Sequence, residues 1–179
     1  MMQLLLTVMA IGLAALLAVG GINYFSTDIG VRVEMSQALR AQHDAIAGAV
    51  SSYRTANNGF VPRSVDTLKG YLPEGKVPEF PKGHKPFLWT IDKSPTGDVR
   101  GLCLTRTHGE ASRGMLEGVI SFAKDRAARF PGTVSYGTSG GSPANDCGMA
   151  AGAPVTHDFG LDARTLSANA GATFSFKGF

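Results

Sequence analysis

LLLTVMAIGLAALLAVGGINYF, residues 4–25, carries no charged side chain. As a helix this run is long enough for a bilayer's hydrocarbon core, which takes about 20 apolar residues. The first charge is Asp28, and residues 26–57 contain no proline. Within them Leu39, Ile46, Val50 and Tyr53 recur on one helical face. Arg32, Glu34, Arg40, Gln42 and Asp44 lie among them as polar positions. Asn57-Asn58-Gly59 offers a C-terminal stop, and Pro62 follows. The two segments read as one continuous helix from residue 2 to 57, roughly 84 Å long at the usual α-helical rise. A single small domain cannot cover such a helix. Its first half needs lipid or other chains around it.

Three fates of residues 4–25 compete. A cleaved secretory signal wants Lys or Arg ahead of the apolar run, and there is none; Ala18-Val19-Gly20 resembles a cleavage site only loosely. An ordinary anchor wants a positive charge on its cytoplasmic side, yet the chain starts Met1-Met2-Gln3. The third is a segment that sits first in a membrane and later in a protein assembly. The expectation is that a basic leader has been removed and that Met1 lies at or near a mature end. Gly12, Gly20, Gly21 and Gly30 interrupt the helix, each costing up to about 1 kcal/mol relative to alanine. Two readings of them stay open. Small residues permit close helix packing in a membrane, or the Gly20-Gly21 pair marks a stretch that unwinds.

The remaining chain suffices for one ordinary domain. The charged fraction, 17%, is low, and the net charge is +3 with no run of Lys or Arg. A nucleic-acid binder would show a clustered basic face, so no specific nucleic-acid site is expected. Cys103 and Cys147 belong to no C-x-x-C motif. With a membrane-directed N-terminus, an even count points to one disulfide in an exported domain, the other reading being two buried thiols. Closing so long a loop stabilises by roughly 4 kcal/mol in the chain-entropy picture.

Along this domain, residues 64–72 read as a short helix with Ser64 as N-cap. Pro73, Pro78 and Pro81 make 73–85 irregular. FLWTIDK (87–93) and VRGLCLTRT (99–107) read as a hairpin joined by the turn residues Pro95-Thr96-Gly97-Asp98. Residues 109–129 read as a helix with Met115, Val119, Phe122 and Ala123 on one side. Residues 133–136 read as a short strand. Residues 137–153 read as a Gly/Ser/Ala-rich loop ordered by the disulfide, and ATFSFK (172–177) as a half-buried strand. The fold class is α+β: a long N-terminal helix with an apolar first half, packed against a small antiparallel sheet of three or four strands with short flanking helices.

His43, His84, His108 and His157 are scattered, with no metal-ligand spacing. His108-Gly109-Glu110 has no nucleophile motif beside it and reads as a turn opening a helix. Phe60, Phe80, Phe87 and Trp89 could line a ligand patch, but core packing explains them more simply. No enzymatic activity, no cofactor and no metal are expected.

Taken with these features, QLLLTVMAIGLAALLA (3–18) resembles the apolar signature of type IV pilins, most nearly the type IVb class, and the Met1 start is similar to mature ends of that class. The resemblance implies removal of a leader by a prepilin peptidase, residence in the inner membrane, and assembly with the pilus machinery into an extracellular homopolymer. Such a filament serves adhesion, aggregation, DNA transfer or motility, with a host or neighbouring cell surface as possible partner. It implies a core helix over 1–25, a spine helix over 26–58 and a head over 59–179. Within the head, Cys103 and Cys147 look like the pair bounding the C-terminal region. The family holds a glutamate five residues into the mature chain, thought to pair with a neighbour's N-terminal amine. Here the fifth residue is Leu5; if Gly12 sets the register, Gln3 takes the acid's place. Without that charge a minor or tip pilin, or a pseudopilin, is the alternative within the family. A single-pass anchored periplasmic binding module is the alternative outside it.

Overall fold

A computed structural model describes residues 9, 11–12, 27–81, 86–94, 96–107, 111–139, 146–156, 160–169 and 171–178. Its organising element is helix α1 (Thr27–Ala56). The face expected from the sequence is the buried one: Leu39, Ile46 and Val50 are fully enclosed, joined by Met35 and Ala49. The helix stops where the asparagines and glycine stand. Asn58 and Gly59 take left-handed φ angles of 53° and 84°. Gly59 N donates to Arg54 O at 2.8 Å and the Asn57 side chain to Tyr53 O at 2.8 Å, so the last turn's carbonyls keep partners.

Strands β1 (Phe87–Lys93) and β2 (Val99–Arg106) form the expected hairpin. Its turn closes through Ser94 N to Asp98 O at 2.8 Å and Gly97 N to Ser94 O at 2.9 Å. Helix α2 (Arg113–Arg129) begins later than the sequence pattern indicates, because Ser112 caps it by accepting from Met115 N. Strand β3 (Val134–Ser139) follows, then β4 (Met149–Pro154), helix α3 (Ala163–Ala168) and β5 (Ala172–Lys177). Residues 64–72 hold a 3₁₀ helix, Val65–Tyr71, rather than an α-turn. Thr67 makes its cap: its hydroxyl donates to Ser64 O at 2.7 Å and accepts from Ser64 N at 3.4 Å.

All five strands belong to one antiparallel sheet of order β1-β2-β5-β3-β4. This corrects the expectation of three or four strands, and it places a strand inside 137–153, read as loop. Met149–Pro154 carries too few large side chains to announce a strand, and its pairing with β3 supplies what its own residues do not. Helix α3 likewise has only two buried side chains, Ala163 and Leu166. The last strand, β5, inserts at the centre between β2 and β3. It is buried on both faces, not one. Phe174 and Phe176, opposite Leu104 and Leu102, line the main core, while Thr173 and Ser175 lie on the other side.

The helical layer is α1 with α2. A Cβ at Gly114 would stand 2.7 Å from Asp28 O, and one at Gly118 would stand 2.7 Å from Met35 Cβ and 2.8 Å from Arg32 O. These contacts advance in the same direction along both helices, as does the Arg40–Asp125 ion pair, so α1 and α2 run parallel. Glycine four residues apart lets the backbones approach as no larger residue would. Met115, Val119, Phe122 and Ala123 then fill the core, as their spacing indicates.

Gln42 and His43, read as part of the polar side of α1 or left unplaced, are buried. Gln42 is satisfied at both ends: Trp89 Nε1 donates to its Oε1 at 2.7 Å, and its Nε2 donates to Pro78 O at 2.7 Å. Phe87 and Trp89 are core residues as expected, whereas Phe60 is 74% exposed.

The close contact gives a direct test. Gly118→Ala in the otherwise unaltered chain is expected to destabilise by about 1–3 kcal/mol through overpacking, read as a lower urea midpoint at unchanged slope. An unchanged midpoint would mean that the two helices have room the geometry does not show.

Candidate functional site

The strongest candidate surface is the outer side of α1. At 100° per residue, Ile29, Gly30, Val33, Gln37, Ala41 and Gly48 fall away from the Met35–Leu39–Ile46–Val50 face. All six are exposed; Ile29 is 53% and Val33 49% accessible. At Gly30 and Gly48 a Cβ would meet no atom within 4 Å. Glycine inside a helix costs roughly 0.5–1 kcal/mol against alanine. At Gly114 and Gly118 that cost is repaid by packing within the chain. At Gly30 and Gly48 no contact among the described residues uses the space. The same side also carries Asp44, 67% exposed between Ala41 and Gly48, with Glu34 and Arg40 at its margins, so it is a strip of small residues with charges on it; its shape suits another helix lying close against it.

Most of the N-terminal residues singled out by sequence fall outside the described residues: Met1, Gln3, Leu5, Gly20 and Gly21. Met9, Ile11 and Gly12 are helical and exposed, with nothing within 4 Å of a Cβ at Gly12. Among the described residues, no helix is long and apolar enough to cross a membrane. Of the histidines, His84, His108 and His157 also lie outside the described residues, as does Glu110.

The disulfide is present. Cys103 on β2 joins Cys147 across a Cα–Cα distance of 5.7 Å and a sequence separation of 44. Cys147 has a left-handed φ of 53° inside the 3₁₀ turn Asp146–Gly148. That turn lies against β1, β2, β3 and β5 and so covers Thr173 and Ser175 on the outer face of the central strand. A buried carboxylate holds it there. Asp92 Oδ1 accepts from Cys147 N at 3.0 Å and from the Arg100 guanidinium at 3.0 Å. Asp92 and the two cysteine sulfurs have ligand atoms within 4.8 Å of one another, but the sulfurs are bonded together and cannot act as thiolates. Sequence reading missed Asp92 and Arg100; their only signal was opposite charge on facing strands of a hairpin.

His43 sits in an aromatic enclosure of Trp89, Phe122 and Phe176, with ring centroids at 6.0, 6.2 and 5.9 Å. Nδ1 meets Asp44 Oδ1 at 3.1 Å, while Nε2 is buried without a partner. Burial, helped by the nearby Arg126 charge, holds its pKa below the ordinary histidine value; Asp44 opposes this only in part. The neutral ring is therefore the folded form. The ring's close neighbours are thus the Asp44 carboxylate and three aromatic side chains.

Two measurements follow. Because the folded pKa is depressed, His43 costs nothing at neutral pH and withdraws stability as pH falls below about 6.5, where the unfolded chain takes up the proton. The urea midpoint should be flat above that pH and decline below it, and His43→Gln should flatten the decline. An identical acid slope in that variant would assign it to other groups. For the disulfide, Cys103→Ser with Cys147→Ser should cost about 4 kcal/mol, seen as a large drop in thermal midpoint.

Compared with protein-family models, with curated proteins and with solved structures, the chain finds no match in any of the three.

Proposed function

We propose that this chain is a structural subunit that self-assembles into a type IV pilus-like filament through its N-terminal helical segment. The reading joins two observations. Residues 4–25 are uncharged and long enough to need cover from outside the domain. Directly after them, α1 keeps one face for the head core and leaves the other bare, with Ile29 and Val33 exposed and Gly30 and Gly48 unfilled. The bare strip is the observation that carries the proposal. It continues the apolar segment's demand for a helical neighbour into the described part of the chain.

In this reading residues 1–25 form the filament core, 26–58 the spine and 59–179 the head. The chain is held in the inner membrane until the assembly machinery extracts it, after prepilin peptidase processing. Burying apolar helix surface at about 25 cal/mol per Å² supplies the driving force, offset by ordering costs. The disulfide suits an extracellular fibre, because it stabilises a head with few other restraints on its outer sheet face. One observation favours a minor or tip subunit: neither Gln3 nor Leu5 supplies the acid that shaft pilins use for registry.

Electron microscopy of material sheared from cells expressing the chain, with mass spectrometry of its main component, tests the proposal. Thin uniform filaments made mainly of this chain are expected, and a chain lacking residues 1–25 should be monomeric and form none. A trace amount in filaments of another subunit would move the assignment to a minor pilin. Retention in the membrane with no fibres would leave an anchored binding module.

A further inference from the structure

The groove between α1, α2 and α3, about 860 Å³ in volume, has an apolar floor and a basic rim. Leu116, Ile120 and Leu161 make the floor; Arg32, Lys124 and Arg164 stand at the rim. The acids that share the groove are already engaged. Glu117 pairs with Arg113 at 2.8 Å, Asp125 with Arg40 and Arg129, and Asp162 accepts from Thr165 N at 2.7 Å as the cap of α3. Arg32, Lys124 and Arg164 make no salt bridge among the described residues.

The opposite end of α1 carries the complementary chemistry. Gly114 and Arg113 put the groove beside Asp28 and Arg32, near the helix start. Beyond its last turn stand Phe60, 74% exposed, and Tyr71, which packs on Tyr53 at 5.4 Å and accepts from Asn57 Nδ2 at 3.2 Å. Two residues past Leu72, Glu74 sits exposed at the tip of the turn Pro73–Gly75 with a left-handed φ of 53°. Glu74 makes no salt bridge among the described residues, whereas its neighbours Glu79 and Asp66 pair with Lys76 and Lys69. The two features are separated along α1 by roughly 30 Å at the usual α-helical rise.

We infer that the aromatic and acidic turn of one copy, Phe60, Tyr71 and Glu74, docks in the basic-rimmed groove of a second copy of this chain. The contact joins two different surfaces and so need not close on itself; repeated, it generates an open filament. Opposite charges set the register and the apolar floor takes the aromatic ring. The inference rests on the filament reading proposed above and names the head-to-head contact within it.

The test uses the full-length chain in expressing cells, with sheared filaments as the readout. Glu74→Lys and Arg164→Glu should each lower filament yield about tenfold, and the two together should restore most of it, as expected for a complementary pair. Thermal midpoints near that of the unaltered chain show that these exposed substitutions leave the head folded. Independently, Glu74→Cys combined in turn with Arg32→Cys, Lys124→Cys or Arg164→Cys should give covalent multimers in non-reducing gels that collapse on reduction. Asp98→Cys with Arg164→Cys should not. Filaments at full yield from both charge reversals, with no cross-link in any of the three pairs, would overturn the contact and leave the filament reading standing. Failure of the unaltered chain to form or join filaments would overturn both.

Discussion

The contact of Gly114 and Gly118 with the backbone of α1 fixes where everything else in the head can lie. Two parallel helices at this separation present a nearly continuous apolar surface to the sheet. Met115, Val119 and Phe122 from one helix and Met35, Leu39 and Ile46 from the other share one layer of contacts with Trp89, Leu102, Leu104, Phe174 and Phe176. Parallel helices need a connection that returns along the domain; the β1–β2 hairpin begins and ends at one place, with Phe87 opposite Arg106, so the return is made ahead of it, where Pro78 O meets Gln42 midway along α1. The same closeness leaves no room for a polar side chain between helix and sheet unless its hydrogen bonds are complete. Gln42 meets that condition through Trp89 and Pro78. His43 meets it only in part, by staying neutral.

The sheet's other face is built on a different principle. It shows Thr173, Ser175, Cys103 and Gly101, small residues that could not form a core by themselves. A covalent bond and a buried ion pair stand in for apolar mass there. The disulfide brings Cys147 onto β2, and Asp92 binds both the Cys147 amide and Arg100. The head is thus asymmetric: one face held by packing, the other by cross-links.

Much of this was legible from residues. The α1 face, the two hairpin strands, the core side of α2, the terminal strand and the cysteine pair follow from periodicity, turn chemistry and cysteine count, because each is a local pattern. Strand β4 and helix α3 were not legible. Met149–Pro154 and Ala163–Ala168 are small-residue segments whose structure is imposed by a neighbour, β3 in one case and α2 with the Arg106 side chain on the Leu166 and Ser167 carbonyls in the other. Gly114 and Gly118 stand four apart in the sequence, a spacing that suits helix packing, but only the folded chain shows that their partner is α1.

The sequence by itself determined that an amphipathic helix runs up to Asn57, and that the domain after it is α+β with two cysteines placed to pair. These are properties of single segments, set by hydrophobic period and residue chemistry. Only the tertiary structure decided which glycines are packed and which are bare, which polar residues are buried, and that the last strand lies at the centre of the sheet. Those facts depend on atoms far apart in the chain meeting within a few ångströms. No local pattern encodes such a meeting, because it arises from the packing of every element at once.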